Sequence, residues 1–126
     1  MKSFVVALVI AVTMVGGSIF YSHSLEDRSK SLRGQCYEIE NALKDCAFTS
    51  AKENIKKLED NVESFEDFFL ATGNHIEIDN IKINLSELRS FTEQEMQGDA
   101  LAKTYVLEFL FDHLPETMKV RIGNIL

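Results

Sequence analysis

Residues 50–69 read SAKENIKKLEDNVESFEDFF, and their spacing decides the fold class. The apolar residues recur at alternating intervals of four and three, at Ala51, Ile55, Leu58, Val62, Phe65 and Phe69. Because an α-helix turns about once every 3.6 residues, these side chains share one face, and Lys, Glu and Asp occupy the other. Ser50, with Glu53 three residues later, is typical of a helix N-terminus. The stretch therefore predicts an amphipathic helix that packs its apolar face against other helices.

The helical period continues on both sides of this stretch. Before it, apolar residues recur at intervals of three, four or seven, at Leu25, Leu32, Cys36, Ile39 and Leu43. After it, Ala100, Leu107, Leu110 and Leu114 share a face. Residues 105–111, YVLEFLF, would be apolar on nearly every face of a helix. This is typical of a helix that lies in the centre of a domain or contacts a partner. Pro115 is expected to end this helix and begin a short last one, with a buried face formed by Met118, Ile122 and Ile125.

Residues 75–85, HIEIDNIKINL, fit two structures. With a period of two, the isoleucines alternate on either side of Asp79 and Asn80, as in a tight β-hairpin. With the helical period, Ile78, Ile81 and Leu85 form a stripe that continues to Leu88. An isolated two-stranded hairpin is marginally stable, so we expect a helix here.

The stretch Phe4–Tyr21, FVVALVIAVTMVGGSIFY, contains no charged residue. A membrane-spanning helix needs about 20 apolar residues, within a range of about 17 to 25, so this run is long enough to cross a bilayer. Two alternatives are a cleaved secretory signal and a buried core helix of a soluble protein. We expect an uncleaved anchor that contacts lipid through its large side chains, among them Phe4, Leu8, Ile10, Val15, Phe20 and Tyr21.

The expected architecture is all-α. An N-terminal transmembrane helix within residues 1–23 would precede a four- or five-helix antiparallel bundle in residues 24–126. Lys2 favours a cytoplasmic N-terminus, but Arg28, Lys30 and Arg33 follow the membrane exit and make the positive-inside count ambiguous. We expect a single-pass protein of the cell membrane with its C-terminal domain on the extracytoplasmic side.

The charge of the predicted domain limits its partners. All 20 acidic residues and 12 of the 13 basic residues lie after residue 23, so this segment has a formal net charge of −8. Such a charge repels nucleic acid. Cys36 and Cys46 are ten residues apart, too far to bridge along one straight helix, so we expect buried or turn thiols.

The sequence offers few candidates for chemistry. His75, Glu77 and Asp79 lie within five residues, but neighbours two apart on a helix do not share a face, so helix N-terminal polarity is favoured over a metal site. His113 has no positioned nucleophile beside it. No G-x-S-x-G, phosphate-loop, H-E-x-x-H or C-x-x-C motif occurs. We therefore expect no enzymatic activity, no cofactor and no metal.

Several segments together carry a family resemblance. They are the helix from Ala51 to Leu58, residues 75–81 (HIEIDNI), 85–88 (LSEL), 110–116 (LFDHLPE) and 124–126 (NIL), in addition to the N-terminal apolar run. With these, the chain resembles, over nearly its whole length, the uncharacterised bacterial family called domain of unknown function 4363, which consists of small membrane-anchored helical proteins. The resemblance implies an all-α extracytoplasmic domain and brings no known activity.

We expect a membrane-anchored helical domain that acts as a binding or scaffolding accessory of another protein, through a membrane-protein partner or self-association. The alternative is an extracytoplasmic small-ligand-binding or sensory module with a pocket inside the bundle. In either case the predicted contacts are four aromatic residues of the second and fourth helices, Phe65, Phe69, Tyr105 and Phe109.

Overall fold

The protein consists of four α-helices, as seen in a computed structural model that describes the backbone of residues 1–71 and 75–125. The side chains of residues 18, 21, 22, 68–71 and 115–125 lie outside the described set. The helices are α1 (Lys2–Lys44), α2 (Phe48–Ala71), α3 (His75–Glu93) and α4 (Gln97–Ile125). The all-α prediction is therefore confirmed.

The helices form an antiparallel ring. Along α1 from Ser29 to Leu43, the hydrogen-bonded positions on α4 run back from Phe111 to Gln97. On α2 and α3, the ion pairs Glu59–Arg89 and Glu66–Lys82 run in opposite directions in the same way. Each helix packs against two others: α1 and α3 both contact α2 and α4. The result is an up-down-up-down four-helix bundle.

The core lies between the inward faces of the four helices. It contains the predicted stripes of all four, including Cys36, Ile39 and Leu43 from α1 and Leu107 and Leu114 from α4. The predicted face of α2 is buried from Ala51 to Phe65, and Phe69 lies outside the described side chains. Removing this apolar surface from water is the main favourable contribution to folding.

The segment from His75 to Leu85 is helical, so the hairpin alternative is wrong. Ile78, Ile81, Leu85 and Leu88 are all buried, whereas Ile76 and Ile83 are exposed. This distribution follows a period of 3.6 and not of two, because α3 presents only one face to α2 and α4.

The predicted boundary between residues 23 and 24 is not a break in the secondary structure. Helix α1 runs without interruption from Lys2 to Lys44. Leu25 is its first buried apolar residue, and large apolar residues from Phe4 to Phe20 are exposed. Among the described residues, no helix has an apolar stretch long enough to cross a membrane.

The prediction that Pro115 ends the fourth helix is wrong. Helix α4 continues through this position to Ile125. A proline has no N–H, so the carbonyl four residues earlier, that of Phe111, loses its helical donor. The buried Ser29 hydroxyl of α1 donates a hydrogen bond to this carbonyl and satisfies it. The predicted buried face at Met118, Ile122 and Ile125 lies outside the described side chains.

Two short turns, with matching backbone geometry, close one end of the bundle. Cys46 and Glu95 both adopt left-handed conformations, with φ of 54° and 57°. In each turn the following amide donates to a carbonyl five residues back, Ala47 to Ala42 and Met96 to Phe91, which is the Schellman arrangement at a helix C-terminus. Cys46 is thus an exposed turn thiol and Cys36 a buried one, as predicted.

We predict that the Ser29→Ala variant is less stable by about 1–3 kcal/mol, because it leaves the buried Phe111 carbonyl without a donor. In a Pro115→Ala background the same substitution should destabilise much less, since residue 115 then supplies an N–H. Denaturant unfolding of the full chain in mild detergent measures both effects. The exposed Ser31→Ala is the matched control and should change the free energy of unfolding by less than about 0.5 kcal/mol. An equal loss from Ser29→Ala in both backgrounds would contradict the role of this hydrogen bond.

Candidate functional site

Helix α4 has two apolar faces, and only one of them is used in the bundle. The inward face is buried and includes Leu107, Phe111 and Leu114. The opposite face is exposed, with Tyr105 45%, Val106 39% and Phe109 60% accessible. We call the exposed face the outer stripe of α4; it consists of Ala102, Tyr105, Val106, Phe109 and His113. These residues recur at helical intervals, which is the pattern of a helix that packs against another helix.

A groove between α1 and α4 borders the outer stripe. It has a volume of about 230 Å³ and is lined by Arg33, Tyr37, Tyr105, Glu108, Phe109 and Asp112. Tyr37 is 49% exposed, so α1 adds a third accessible aromatic ring to those of α4. We call this feature the α1/α4 groove. Accessible aromatic side chains are enriched where proteins bind each other.

Local contacts hold the end of the groove that lies nearest Asp112. Arg33 of α1 forms an ion pair with Asp112 of α4. The rings of Phe109 and His113 stack with their centroids 4.1 Å apart, and His113 Nδ1 lies 3.0 Å from the Phe109 carbonyl oxygen. These contacts fix the orientation of Phe109 although its ring is exposed.

A carboxyl pair lies at the groove, formed by Glu40 of α1 and Glu108 of α4. Burial, followed by the charge of Glu40, raises the pKa of Glu108 to about 7. Burial alone would also raise the pKa of Glu40, but hydrogen bonds from Lys44, Tyr105 and Glu108 lower it. The two carboxyl groups therefore compete for one proton near neutral pH, and Glu108 has the higher pKa of the two.

The two carboxyl groups differ in their hydrogen bonding. Lys44 Nζ lies 3.1 Å from Glu40 Oε1. The Oε1 atom of Glu108 is buried and has no hydrogen-bond partner within the part of the chain that the structure describes. The Cys36 thiol lies close to both carboxyl groups, and its burial, together with their charges, raises the pKa of this thiol. Cys36 is therefore a packed thiol and not a nucleophile.

The structure separates the four predicted contact residues. Tyr105 and Phe109 share the outer stripe and the α1/α4 groove. Phe65 is 2% exposed and belongs to the core, where the Arg28 guanidinium lies 4.9 Å from its ring centroid. The side chain of Phe69 lies outside the described set. Phe65 is thus not brought together with Tyr105 and Phe109.

Three residues of this surface were not among the predicted contacts. Tyr37 lies on the solvent-exposed side of α1, where it is an aromatic residue among mainly polar ones. Glu108 is the one charged residue within the apolar segment 105–111. Nothing in the sequence marks Glu40 as part of this surface, because only the register between α1 and α4 brings it next to Glu108.

Among the described residues, the other charged groups do not form a comparable site. A larger groove of about 290 Å³ lies between α2 and α3, but four of its five charged groups form ion pairs, Glu59 with Arg89 and Glu66 with Lys82, and the fifth, Glu63, is exposed. His75 and Asp79 are exposed near the start of α3, with Glu77 half-buried between them. Within the described residues, no group of His, Cys, Asp and Glu side chains is placed to hold a metal ion.

Comparison with known proteins gives the family. The model of the family Domain of unknown function (DUF4363) matches residues 19–125, most of the chain. The protein therefore belongs to this family, as the resemblance implied. No curated protein and no solved structure matches the chain.

We predict that stability depends on pH through Glu108. Because its folded-state pKa of about 7 lies above the ordinary value of 4.5, the stability that this proton provides is full below pH 4.5 and is lost as pH rises through about 7. Glu108→Gln keeps a hydrogen-bonding group without charge. Its free energy of unfolding, relative to that of the wild type, should therefore increase by about 1–2 kcal/mol as pH rises from 5 to 8, after allowance for solvent screening of a partly exposed group.

Denaturant unfolding of the full chain in detergent at about pH 5 and pH 8 measures this difference. Glu63→Gln, on the exposed face of α2, is the control for removing one carboxylate charge. If the free energies of unfolding of the wild type and Glu108→Gln differ by the same amount at both pH values, protonation of this pair does not contribute to stability.

Proposed function

We propose that this protein is a membrane-anchored accessory that holds a small helical bundle at the bilayer surface, where the bundle binds or scaffolds another membrane protein. One observation carries the proposal. Helix α1 is a single helix whose first half exposes apolar side chains and whose second half supplies part of the bundle core.

The first half of α1 has the properties of a helix in lipid. Its exposed apolar residues lie all round the helix and not on one face, among them Phe4 73%, Leu8 54%, Ile10 54%, Val15 60% and Phe20 77% exposed. Such a surface is unfavourable in water and favourable in hydrocarbon. The described residues alone provide no apolar stretch of spanning length. The whole uncharged run Phe4–Tyr21, taken from the sequence, would extend roughly 27 Å as a helix, close to the thickness of a bilayer core. Ser18 and Tyr21 belong to this run, but their side chains lie outside the described set.

The continuity of α1 supports a positioning role. Leu25, the first core residue, comes five positions after the exposed Phe20, roughly 7 Å along the helix. A bundle joined to an anchor in this way would stand directly against the membrane, with its direction set by the helix. An accessory of a membrane protein needs this placement, whereas a free ligand-binding domain does not.

The orientation that we propose places the bundle on the extracytoplasmic side. Lys2 and the N-terminal amine precede the apolar run and favour retention of this end in the cytoplasm. The acidic bundle, with its net charge of −8, would then lie on the side opposite the anionic lipids of the cytoplasmic leaflet, which such a charge disfavours.

We propose binding as the activity, because the accessible features of the bundle are aromatic and not catalytic. Tyr37, Tyr105 and Phe109 present three exposed rings beside one groove. The exposed part of each ring contributes nothing to the stability of an isolated domain, so a contact with another protein or a second copy explains this exposure better.

The test is recovery of a companion protein. The full chain, solubilised from membranes in mild detergent, should co-purify with a membrane protein at constant stoichiometry. The double variant Tyr105→Ala and Phe109→Ala should lose that companion, because truncating interface aromatics typically weakens binding by about 2 kcal/mol or more. Ile83→Ala, which removes an equally exposed apolar side chain from α3, is the matched control and should retain it. Recovery as a lone monomer, with crosslinking capturing nothing, would contradict the proposal.

A further inference from the structure

We propose that the partner presents a basic amphipathic helix, which lies along the outer stripe of α4 and places a Lys or Arg side chain in the α1/α4 groove beside Glu108. This inference rests on the proposed binding function and names the chemistry of the partner. It concerns exposed residues of α4 and the groove that α4 forms with α1.

The outer stripe has the form of one half of a helix–helix contact. Ala102, Tyr105, Val106, Phe109 and His113 follow one another at intervals of one, three and four. This row extends over about three turns of α4, the length over which two packed helices commonly interdigitate. Ala102 and Val106 leave space for the side chains of an opposing helix, and the two aromatic rings provide ridges.

The α1/α4 groove, which borders the outer stripe, is suited to a Lys or Arg side chain. Its walls carry the rings of Tyr37, Tyr105 and Phe109, and the faces of aromatic rings attract ammonium and guanidinium groups. Of its three charged groups, Arg33 and Asp112 pair with each other. Glu108 remains, with a buried Oε1 atom that lacks a hydrogen-bond partner in the described part of the chain. Glu108 also lines the groove, so a cationic side chain that enters the groove would lie beside this carboxyl group.

Charge also favours a basic partner over a second copy of this chain. The segment after residue 23 carries a net charge of −8, so two copies repel each other unless specific pairs offset this. At the stripe itself, two copies would bring the Glu40–Glu108 pairs toward one another. A basic helix gains from the same field in both the rate and the specificity of association.

The neighbours of Glu108 determine how this contact depends on pH. Cys36, Glu40 and Lys44 face it from α1, and Tyr105 lies on its own helix. Because Glu108 holds a proton up to about pH 7, a partner cation must displace that proton to form an ion pair. Binding of the basic helix therefore releases a proton and strengthens as pH rises.

The experiment uses two designed helical peptides and the full chain in detergent micelles. Both peptides carry the same Leu and Ala stripe; one has Lys and Arg at the flanking positions, and the other has Glu there. Fluorescence anisotropy should show binding of the basic peptide only, with an affinity that rises between about pH 6 and pH 8. Glu108→Gln should weaken this binding by about tenfold and remove the dependence on pH. Loss of the peptide stripe should abolish binding.

Matched controls separate the groove from general charge effects. Asp60→Asn removes one exposed carboxylate from α2, and Ile83→Ala removes one exposed apolar side chain from α3; neither should alter the affinity by more than twofold. Phe109→Ala should weaken binding by about tenfold or more. Glu108→Gln is expected to be at least as stable as the wild type, so unfolding does not explain its loss of binding.

Three outcomes would overturn the inference. They are equal binding of the two peptides, an effect of Asp60→Asn as large as that of Glu108→Gln, and efficient crosslinking of two copies of the chain through a photoreactive group at position 109. None of these removes membrane anchoring or co-purification with a companion, so failure here is distinguishable from failure of the proposed function.

Discussion

The hydrogen bond from the Ser29 hydroxyl to the Phe111 carbonyl is the contact on which the arrangement of α1 and α4 depends. Without it, Pro115 would leave a buried carbonyl unpaired in the middle of α4, and a break in the helix would be favoured. With it, α4 continues to Ile125 and its register against α1 is fixed. That register in turn places Arg33 beside Asp112 and Glu40 beside Glu108.

The same register places apolar and charged side chains next to each other on the outer stripe and in the α1/α4 groove. Helix α4 buries one apolar face in the core and leaves another exposed, while α1 adds Tyr37 and Glu40 along the edge. The carboxyl pair costs stability above neutral pH because both groups are then ionised, partly desolvated and repel each other. Groups that are unfavourable for the isolated bundle but favourable in a complex are expected at binding surfaces. Anchoring through α1 would hold this surface at a fixed height above the bilayer.

Much of the fold could be predicted from the sequence, because α2 and α3 follow the helical period strictly and their predicted stripes are buried. The continuation of α4 through Pro115 could not, since it depends on a serine 86 positions away that only the folded register brings to Phe111. Of the predicted contact residues, Tyr105 and Phe109 share one surface and Phe65 is in the core, because hydrophobic spacing does not distinguish an inward face from an outward one. The Glu40–Glu108 pair had no sequence signal, as its two members lie on helices that are distant in the chain.

In the proposed anchoring, one uninterrupted helix would join the bilayer to the core of the bundle. A substituted-cysteine scan of residues 4–44, in a Cys46→Ser background and in sealed right-side-out vesicles, tests this with a membrane-impermeant maleimide. Anchoring through this helix predicts no labelling from Phe4 to Gly17. From Asp27 onward it predicts labelling at exposed positions such as Lys30, Tyr37 and Asn41, and none at Leu32 or Ile39. Labelling within the apolar run, labelling of every position from 21 to 31, or labelling only after the vesicles are opened would contradict it.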